Sequence, residues 1–106
     1  GFNPAISPKA KAAIRDTIRS WQLPKRTPMS LEDIAAWINP VVRGWINYYG
    51  TYCKSALQPI IRMLDFQLAK WAMRKFKRYH RRIVGALRWL SSVYRRDPRL
   101  FAHHSV

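Results

Sequence analysis

Apolar side chains recur at intervals of three and four residues along most of this chain, and no segment alternates convincingly as a half-buried strand does. Proline and capping residues divide the pattern into five predicted helices. They span Pro8 to about Gln22, Leu31 to Ile38, Pro40 to about Tyr49, about Ala56 to Arg78, and about Arg82 to Arg95. The fourth is the longest and carries apolar residues on two sides, as a central helix does. We therefore expect one all-α domain, a helical bundle of about five helices with a long central helix.

The predicted helix boundaries depend on local capping chemistry. Ser7-Pro8 is an N-cap followed by a proline, which suits the first helical position because it has no N–H to leave unbonded. Ser30 and Asp33 have the spacing of a capping box. Pro40 is expected to separate two helices, whereas Pro59 is tolerable because it lies in a first turn.

Basic residues outnumber acidic ones by 20 to 5, which gives a formal net charge of +15. Such a charge on a small domain causes strong self-repulsion unless a polyanion screens it. From Lys70 to Arg96 the chain contains Lys and Arg but no Asp or Glu, whereas a face that served only solubility would mix both signs. A nucleic acid, most simply RNA, is therefore the first candidate partner. A membrane is disfavoured because the tryptophans have core spacing and no apolar run is long enough to span a bilayer.

Two groups of side chains are candidates for contact with RNA. A basic stripe recurs along the predicted long helix at spacings of four, three and four residues. Arg43 and Asn47 lie four residues apart, where both could reach a phosphate, a ribose hydroxyl or a base edge. The basic stripe consists of Lys70, Arg74, Lys77 and Arg81. The full candidate set is Arg43, Asn47, Lys70, Arg74, Lys75, Lys77, Arg78, Arg81, Arg82, Arg88, Lys11, Arg15 and Arg19.

The aromatic segment around Arg43 has the spacing of a core helix. One side is predicted to carry Val41, Trp45 and Tyr48, with Val42, Ile46 and Tyr49 adjacent. Gly44 within a helix costs about 1 kcal/mol relative to Ala. Either close packing or close approach of RNA to the backbone would explain equally well why a glycine occupies this helical position. Tyr52 and Tyr79, beside basic or polar residues, are the better candidates for stacking on an unpaired base.

No catalytic or metal centre is predicted in this segment. Phosphoryl transfer needs converging carboxylates, and Glu32 and Asp33, the only neighbouring acids, point about 100° apart on a helix. Three histidines and the single Cys53 form no zinc-binding pattern. We therefore expect no cofactor. One cysteine cannot form an internal disulfide and is typical of a reducing compartment.

Several motifs resemble those of one known family. The most specific is Ile38 to Tyr49, which reads Ile-Asn-Pro-Val-Val-Arg-Gly-Trp-Ile-Asn-Tyr-Tyr. It is accompanied by Ser30 to Ala35, Trp71-Ala72, Arg74-Lys75, Lys77-Arg78 and Arg95 to His103. Together they resemble the group II intron maturase-specific domain, also called domain X or the thumb of intron-encoded reverse transcriptases. The resemblance covers nearly the whole chain. One departure is His104, where Trp is expected in similar proteins.

The resemblance implies a function that composition alone does not. The domain would bind group II intron RNA to promote splicing and retrohoming, and would act as the thumb of an adjoining reverse transcriptase on its RNA/DNA template–primer. A fingers-palm domain would precede it, which fits a chain that opens with Gly1 rather than Met. The parent protein would then be an RNA-directed DNA polymerase, bacterial and cytoplasmic, associated with RNA.

The same resemblance implies roles for the central motif. Arg43 and Asn47 would contact the nucleic-acid backbone, while Trp45, Tyr48 and Tyr49 would hold their helix against its neighbours. The alternative function is a thumb that grips any template–primer duplex without intron-specific binding.

Overall fold

A computed structural model describes residues 6–51 and 54–106 of the chain. The described residues form four α-helices and no β-strand, so the predicted all-α class is confirmed with four helices in place of five. The helices are α1 Pro8–Trp21, α2 Leu31–Tyr49, α3 Gln58–Lys75 and α4 Ile83–Arg96. Short 3-10 turns lie at Leu23–Lys25, Lys54–Leu57, Lys77–Tyr79 and Ala102–Ser105. None of the described helices is long and apolar enough to cross a bilayer.

Local capping chemistry sets the starts of α1 and α2, as predicted. The Ser7 hydroxyl accepts a hydrogen bond from the Ala10 N–H at 3.2 Å. At the start of α2, the Asp33 N–H donates to the Ser30 hydroxyl at 3.1 Å and the Ser30 N–H donates to the Asp33 carboxylate at 3.3 Å. These reciprocal bonds satisfy N–H groups that a helix start leaves without partners. Gln22 ends α1 in the left-handed conformation, with φ 51°.

Pro40 does not break the chain into two helices, so that prediction is wrong. Helix α2 runs through it from Leu31 to Tyr49. A proline inside a helix costs about 3 kcal/mol because it removes one hydrogen bond and crowds the preceding turn. Here Pro40 and Ala36, whose carbonyl loses its partner, are both exposed, so water can reach that carbonyl. Ile38 and Val42, on the opposite side, are buried, and their packing holds both halves of the helix in line.

Helix α3 is the central helix, as expected from its two apolar sides. It packs against α4 and the turn Leu23–Lys25, and also contacts α1. Leu64, Leu68 and Trp71 are buried in the core. The Trp71 indole N–H donates to the Arg26 carbonyl at 2.8 Å, which fixes the loop after α1 onto α3. Pro59 lies in the first turn of α3, where it was expected to be tolerated.

Helix α3 is shorter than predicted at both ends, since 3-10 turns flank it. It ends at Lys75 because Phe76 takes an extended backbone conformation, with φ −111° and ψ 120°. That conformation places the Phe76 ring edge-on to Trp71 and Trp89, with ring centroids 5.9 and 5.4 Å apart. Aromatic packing of this kind outweighs the helical propensity of the basic residues that follow.

The last described segment, residues 97–106, is called the tail here, and it packs back against α2. Helix α4 stops at Arg96, one residue from the predicted end at about Arg95. Phe101, Ala102 and His103 of the tail are buried. The core of the domain therefore includes residues from both ends of the described chain, and the tail covers a side of α2 that α1 leaves open.

Candidate nucleic-acid interface

The predicted RNA-contact residues lie on the surface. Lys11 is half-buried, and the other twelve are exposed. Among the described residues, one ion pair joins a Lys or Arg to a carboxylate within 4 Å, the exposed Arg19–Asp16 pair at 3.8 Å. The remaining carboxylates do not neutralise the basic surface. This arrangement leaves the cationic side chains available to an external anion.

The basic stripe is helical only as far as Arg74. Lys70 and Arg74 lie one turn apart on the exposed side of α3. Lys77 and Arg78 belong to the 3-10 turn after α3, and Arg81 has a left-handed backbone with φ 58°. The expectation of one continuous helical row to Arg81 is therefore wrong. The cause is the end of α3 at Phe76, after which the basic residues follow an irregular connection into α4.

Lys75 makes hydrogen bonds and a ring contact inside the domain. Its ammonium donates to the carbonyl oxygens of Thr27 and Met29 at 2.8 and 3.2 Å. The same nitrogen lies 5.1 Å from the centroid of the Trp71 ring, within the range of a cation–π contact. Lys75 thus ties the loop before α2 to the central helix, a role that its place in the helical pattern did not indicate.

Arg43 and Asn47 lie at an open groove between α2 and the tail. The groove has a volume of about 420 Å³ and is lined by Arg43, Ile46, Asn47, Arg99, Phe101 and Ser105, among others. A second groove of about 470 Å³ adjoins it along Asn47 and adds Thr51 and Lys54. No described Asp or Glu lines either groove. Guanidinium groups that no carboxylate of the described groove lining opposes suit a phosphate or a carboxylate as ligand.

Arg99 is the site residue that the sequence did not reveal. It is exposed at the same groove as Arg43, although the two residues lie 56 positions apart in the sequence. The one available signal was its place in a basic motif near the end of the chain, Arg95-Arg96-Asp97-Pro98-Arg99. Nothing in that motif shows that the tail returns to α2.

A buried amide holds the tail in position. Asn39 of α2 is 7% exposed. Its side-chain nitrogen donates to the Leu100 carbonyl at 2.9 Å, and its oxygen accepts from the Ala102 N–H at 3.0 Å. The side chain therefore pairs with the tail backbone as a neighbouring strand would. Arg43 lies one helical turn beyond Asn39, so the same contact places Arg43 beside the tail.

A second polar cluster anchors the tail to α3 and α4. The Tyr94 hydroxyl donates to the Asp65 carboxylate. The buried His103 places Nε2 2.8 Å from the Tyr94 oxygen and 3.0 Å from the Asp65 carboxylate. Burial, together with the charge of Asp65, raises the pKa of Tyr94 far above its usual value. His104, which stands where Trp is expected in similar proteins, stacks on Tyr94 with ring centroids 4.4 Å apart.

Gly44 is exposed, and packing does not explain it. A Cβ atom at this position would meet no described atom of another element within 4 Å. Of the two explanations left open by the sequence, the structure removes close packing. The other explanation, the approach of RNA to the α2 backbone, stays a prediction.

Tyr48 is 72% exposed and Val41 is 41% exposed, so their assignment to the core is wrong. Helical spacing identified the apolar face correctly but could not show that α1 covers only part of it. Trp45 does contribute to packing, because it stacks on Trp21 with centroids 5.8 Å apart. Tyr48 instead rests edge-on against Tyr49, at 4.8 Å, and does not hold α2 against another helix.

Of the two tyrosines proposed for base stacking, Tyr79 lies within the described residues. Tyr79 is half-buried between Phe76 and Trp89, with centroids 6.2 and 6.3 Å away. The Arg78 guanidinium lies over the Tyr79 ring, 5.0 Å from its centroid, and covers part of that ring. Tyr52, like Cys53, lies outside the described residues.

Fold and surface together define a small, strongly basic, all-α domain in which, among the described residues, a single Lys or Arg pairs with a carboxylate. The chain belongs to the family of group II intron maturase-specific domains, whose sequence model matches residues 11–90. No curated protein and no solved structure was found to match it. Membership confirms the resemblance carried by the central motif and connects the domain to group II introns.

Proposed function

We propose that this domain binds group II intron RNA through its basic surface and thereby promotes splicing and retrohoming by the parent maturase. The observation that carries the proposal is the surface from Lys70 to Arg96. Its Lys and Arg side chains are exposed, none of them pairs with a described carboxylate, and Lys75 alone is held by internal hydrogen bonds. Family membership supports group II intron RNA as the ligand.

Phosphate contact explains why so much like charge is kept on one surface. Like charges one helical turn apart destabilise a helix by a few tenths of a kcal/mol per pair. Contact with RNA releases condensed counterions and more than offsets that cost. If about six phosphates are neutralised, the logarithm of the association constant should fall with the logarithm of the salt concentration at a slope near −5.

The proposal is tested by removing two cations for which the described residues provide no hydrogen-bond or ion-pair partner. Arg74→Ala combined with Lys77→Ala should weaken binding to intron RNA and make the salt slope less steep by about 2, without lowering the melting temperature. The matched control is Lys9→Ala with Lys25→Ala, which removes the same charge from exposed positions elsewhere. Equal loss of affinity in both variants would show that net charge alone determines binding, and a loss of fold would show that Arg74 and Lys77 are structural.

A second candidate function is the thumb of an adjoining reverse transcriptase, which would grip the template–primer duplex without reading the intron. The row of cations on α3 favours it, because such side chains contact phosphates and carry no sequence information. Titrations with intron RNA and with a generic RNA–DNA hybrid, over the same salt range, separate the two functions. Equal affinity for both ligands would contradict intron-specific binding.

A further inference from the structure

We propose that Phe66 of α3 is a stacking platform for an unpaired RNA base, with Arg62 and Lys70 binding the phosphates on either side of it. The inference rests on the proposed RNA-binding function and deepens it, since it names the kind of RNA that the surface of α3 takes. Its spacing from Ala69 and Met73 places Phe66 on an apolar side of the helix. In the structure the ring is 45% exposed.

The position of Phe66 on α3 is the first argument. Arg62 lies one helical turn before Phe66 and Lys70 one turn after it, and all three side chains are exposed. At 1.5 Å per residue, each cation is displaced about 6 Å along the helix axis from the aromatic ring. Arg74 extends the row by another turn. An aromatic ring therefore lies within a cationic row.

Helix α3 carries one acidic residue, Asp65. The nearest acid in sequence, Asp65, is turned toward the core, where it accepts hydrogen bonds from Tyr94 and contacts His103. The Phe66 ring therefore has cations one turn away in both directions, and the carboxylate next to it in sequence is engaged by Tyr94 and His103. That is the composition of single-strand binding surfaces, which combine a positive track for the backbone with aromatic rings for the bases.

The other exposed aromatic side chains lack this setting. Trp37 has Asp33 one turn before it and Val41 one turn after it, and the Arg26 guanidinium already lies 5.4 Å from its ring. Tyr48 has Gly44 one turn before it and packs against Tyr49. Among the described exposed aromatics, Phe66 alone has a basic residue at both helical neighbours.

The ligand is an unpaired base for geometric reasons. A base within a duplex is covered on both faces by its neighbours, and the deep major groove of A-form RNA does not admit side chains that read bases. A base in a loop, bulge or single strand exposes a face that a projecting phenyl ring can cover. Stacking is tolerant of base identity, so the contact selects for unpaired structure and not for sequence.

The test compares two RNA probes with three variants of the chain. The probes are a short single-stranded RNA that carries 2-aminopurine and a fully paired RNA duplex. Phe66→Leu keeps an apolar side chain but removes the ring. It should abolish the change in 2-aminopurine fluorescence on binding and lower the affinity for the single strand by about tenfold. The affinity for the duplex should be unchanged. Phe66→Trp should retain both the affinity and the fluorescence change.

The control variant is Lys70→Ala with Arg74→Ala. It should lower the affinity for both probes by similar factors, because phosphate contacts are lost. Wild-type affinity of Phe66→Leu for the single strand would overturn the inference, and so would an equal loss on both probes. If Phe66→Leu loses binding to anionic vesicles but keeps wild-type RNA binding, Phe66 is a membrane contact and the inference is wrong. If the wild-type chain binds neither RNA, the proposed function fails together with this inference.

Discussion

Asn39 shows how one buried side chain determines the shape of a surface. Its amide makes two hydrogen bonds to the backbone of a tail that lies 61 and 63 positions further along the chain. Leaving such buried groups unpaired costs about 1–3 kcal/mol each, so the pairing strongly favours one position of the tail. Arg99 then shares a groove with Arg43. Asn39 thus positions two candidate contact residues on the groove that they share.

At Gly44 we expect stability and RNA binding to change in opposite directions. Gly44→Ala should raise the free energy of unfolding by about 1 kcal/mol, because alanine is the better helix former and its Cβ enters open space. It should weaken intron RNA binding, because the methyl group blocks the approach of RNA to the α2 backbone. Urea unfolding and an RNA titration measure the two effects.

Gly50→Ala is the control for that experiment. A Cβ at Gly50 would collide with the carbonyl oxygen of Ile46, so this variant should be less stable than the wild type. Unchanged RNA affinity of Gly44→Ala would show that no partner approaches the helix at this point.

Tyr94 should make stability depend on alkaline pH. The group is held protonated in the folded state by burial and by the charge of Asp65, whereas an unfolded tyrosine titrates near pH 10. A raised folded pKa means that the folded state binds more protons. Its stabilising effect is complete below about pH 10 and declines above it by about 1.4 kcal/mol per pH unit.

Tyr94→Phe removes that dependence. The variant should be less stable than the wild type at pH 7, by about 1–2 kcal/mol for the lost hydrogen bonds. The difference should narrow as the pH rises past 10, measured by urea unfolding across the range. Tyr48→Phe, at a ring that is 72% exposed, should follow the wild-type curve. Parallel curves for Tyr94→Phe and the wild type would contradict the assignment.

At the scale of elements, α2 is the helix on which most of the site depends. One face packs on α1 through Trp45 and Trp21, another holds the tail through Asn39, and the exposed side presents Arg43 and Asn47. Because α2 is one helix and not two, these three faces keep a fixed angular relation. A break at Pro40 would separate the tail contact from the residues that line the groove.

Pro40→Ala should therefore stabilise the domain. The substitution restores an N–H donor to the Ala36 carbonyl and relieves crowding in an exposed turn, for a gain of about 2 kcal/mol after the greater freedom of the unfolded chain is counted. Pro59→Ala is the matched control. It should be close to neutral, since Pro59 lies in a first turn where no bond is lost. Thermal unfolding distinguishes the two, and a destabilised Pro40→Ala would contradict this account of α2.

The sequence predicts local features of these helices well and distant ones poorly. The caps at Ser7 and Ser30 are readable because donor and acceptor lie three residues apart. Pro40 was misread because packing on both sides of it outweighs a local rule. Tyr48 was misassigned because spacing marks an apolar face without showing which part a neighbour covers. Arg99 was missed because its place at the site depends on the return of the tail.

At the scale of the whole molecule, charge opposes folding. A net charge of +15 is spread over one small domain, and the one Lys/Arg–carboxylate pair among the described residues is exposed. Salt therefore screens repulsion while it removes little attraction. We expect the isolated domain to become more stable as the potassium chloride concentration rises from low to physiological values.

The size of that stabilisation should be about 1 kcal/mol, seen as an increase of several degrees in the melting temperature. A variant with Lys9, Lys25, Arg95 and Arg96 all changed to Gln should show a smaller response to salt, because it carries less charge to screen. These positions are exposed and make no ion pair in the described structure. A wild-type melting temperature that does not change with salt would contradict a repulsive surface.

The return of the tail to α2 has a consequence for the order in which the molecule is assembled during translation. The residues of the cationic row on α3 have all been synthesised once Arg74 is added to the chain. The groove that joins Arg43 to Arg99 cannot exist on the ribosome until Ala102 has been synthesised and Asn39 has found it. Contacts between such distant residues form slowly, because a long loop must close first. We therefore expect a nascent chain to carry its cationic row before the groove that Arg43 and Arg99 share has formed.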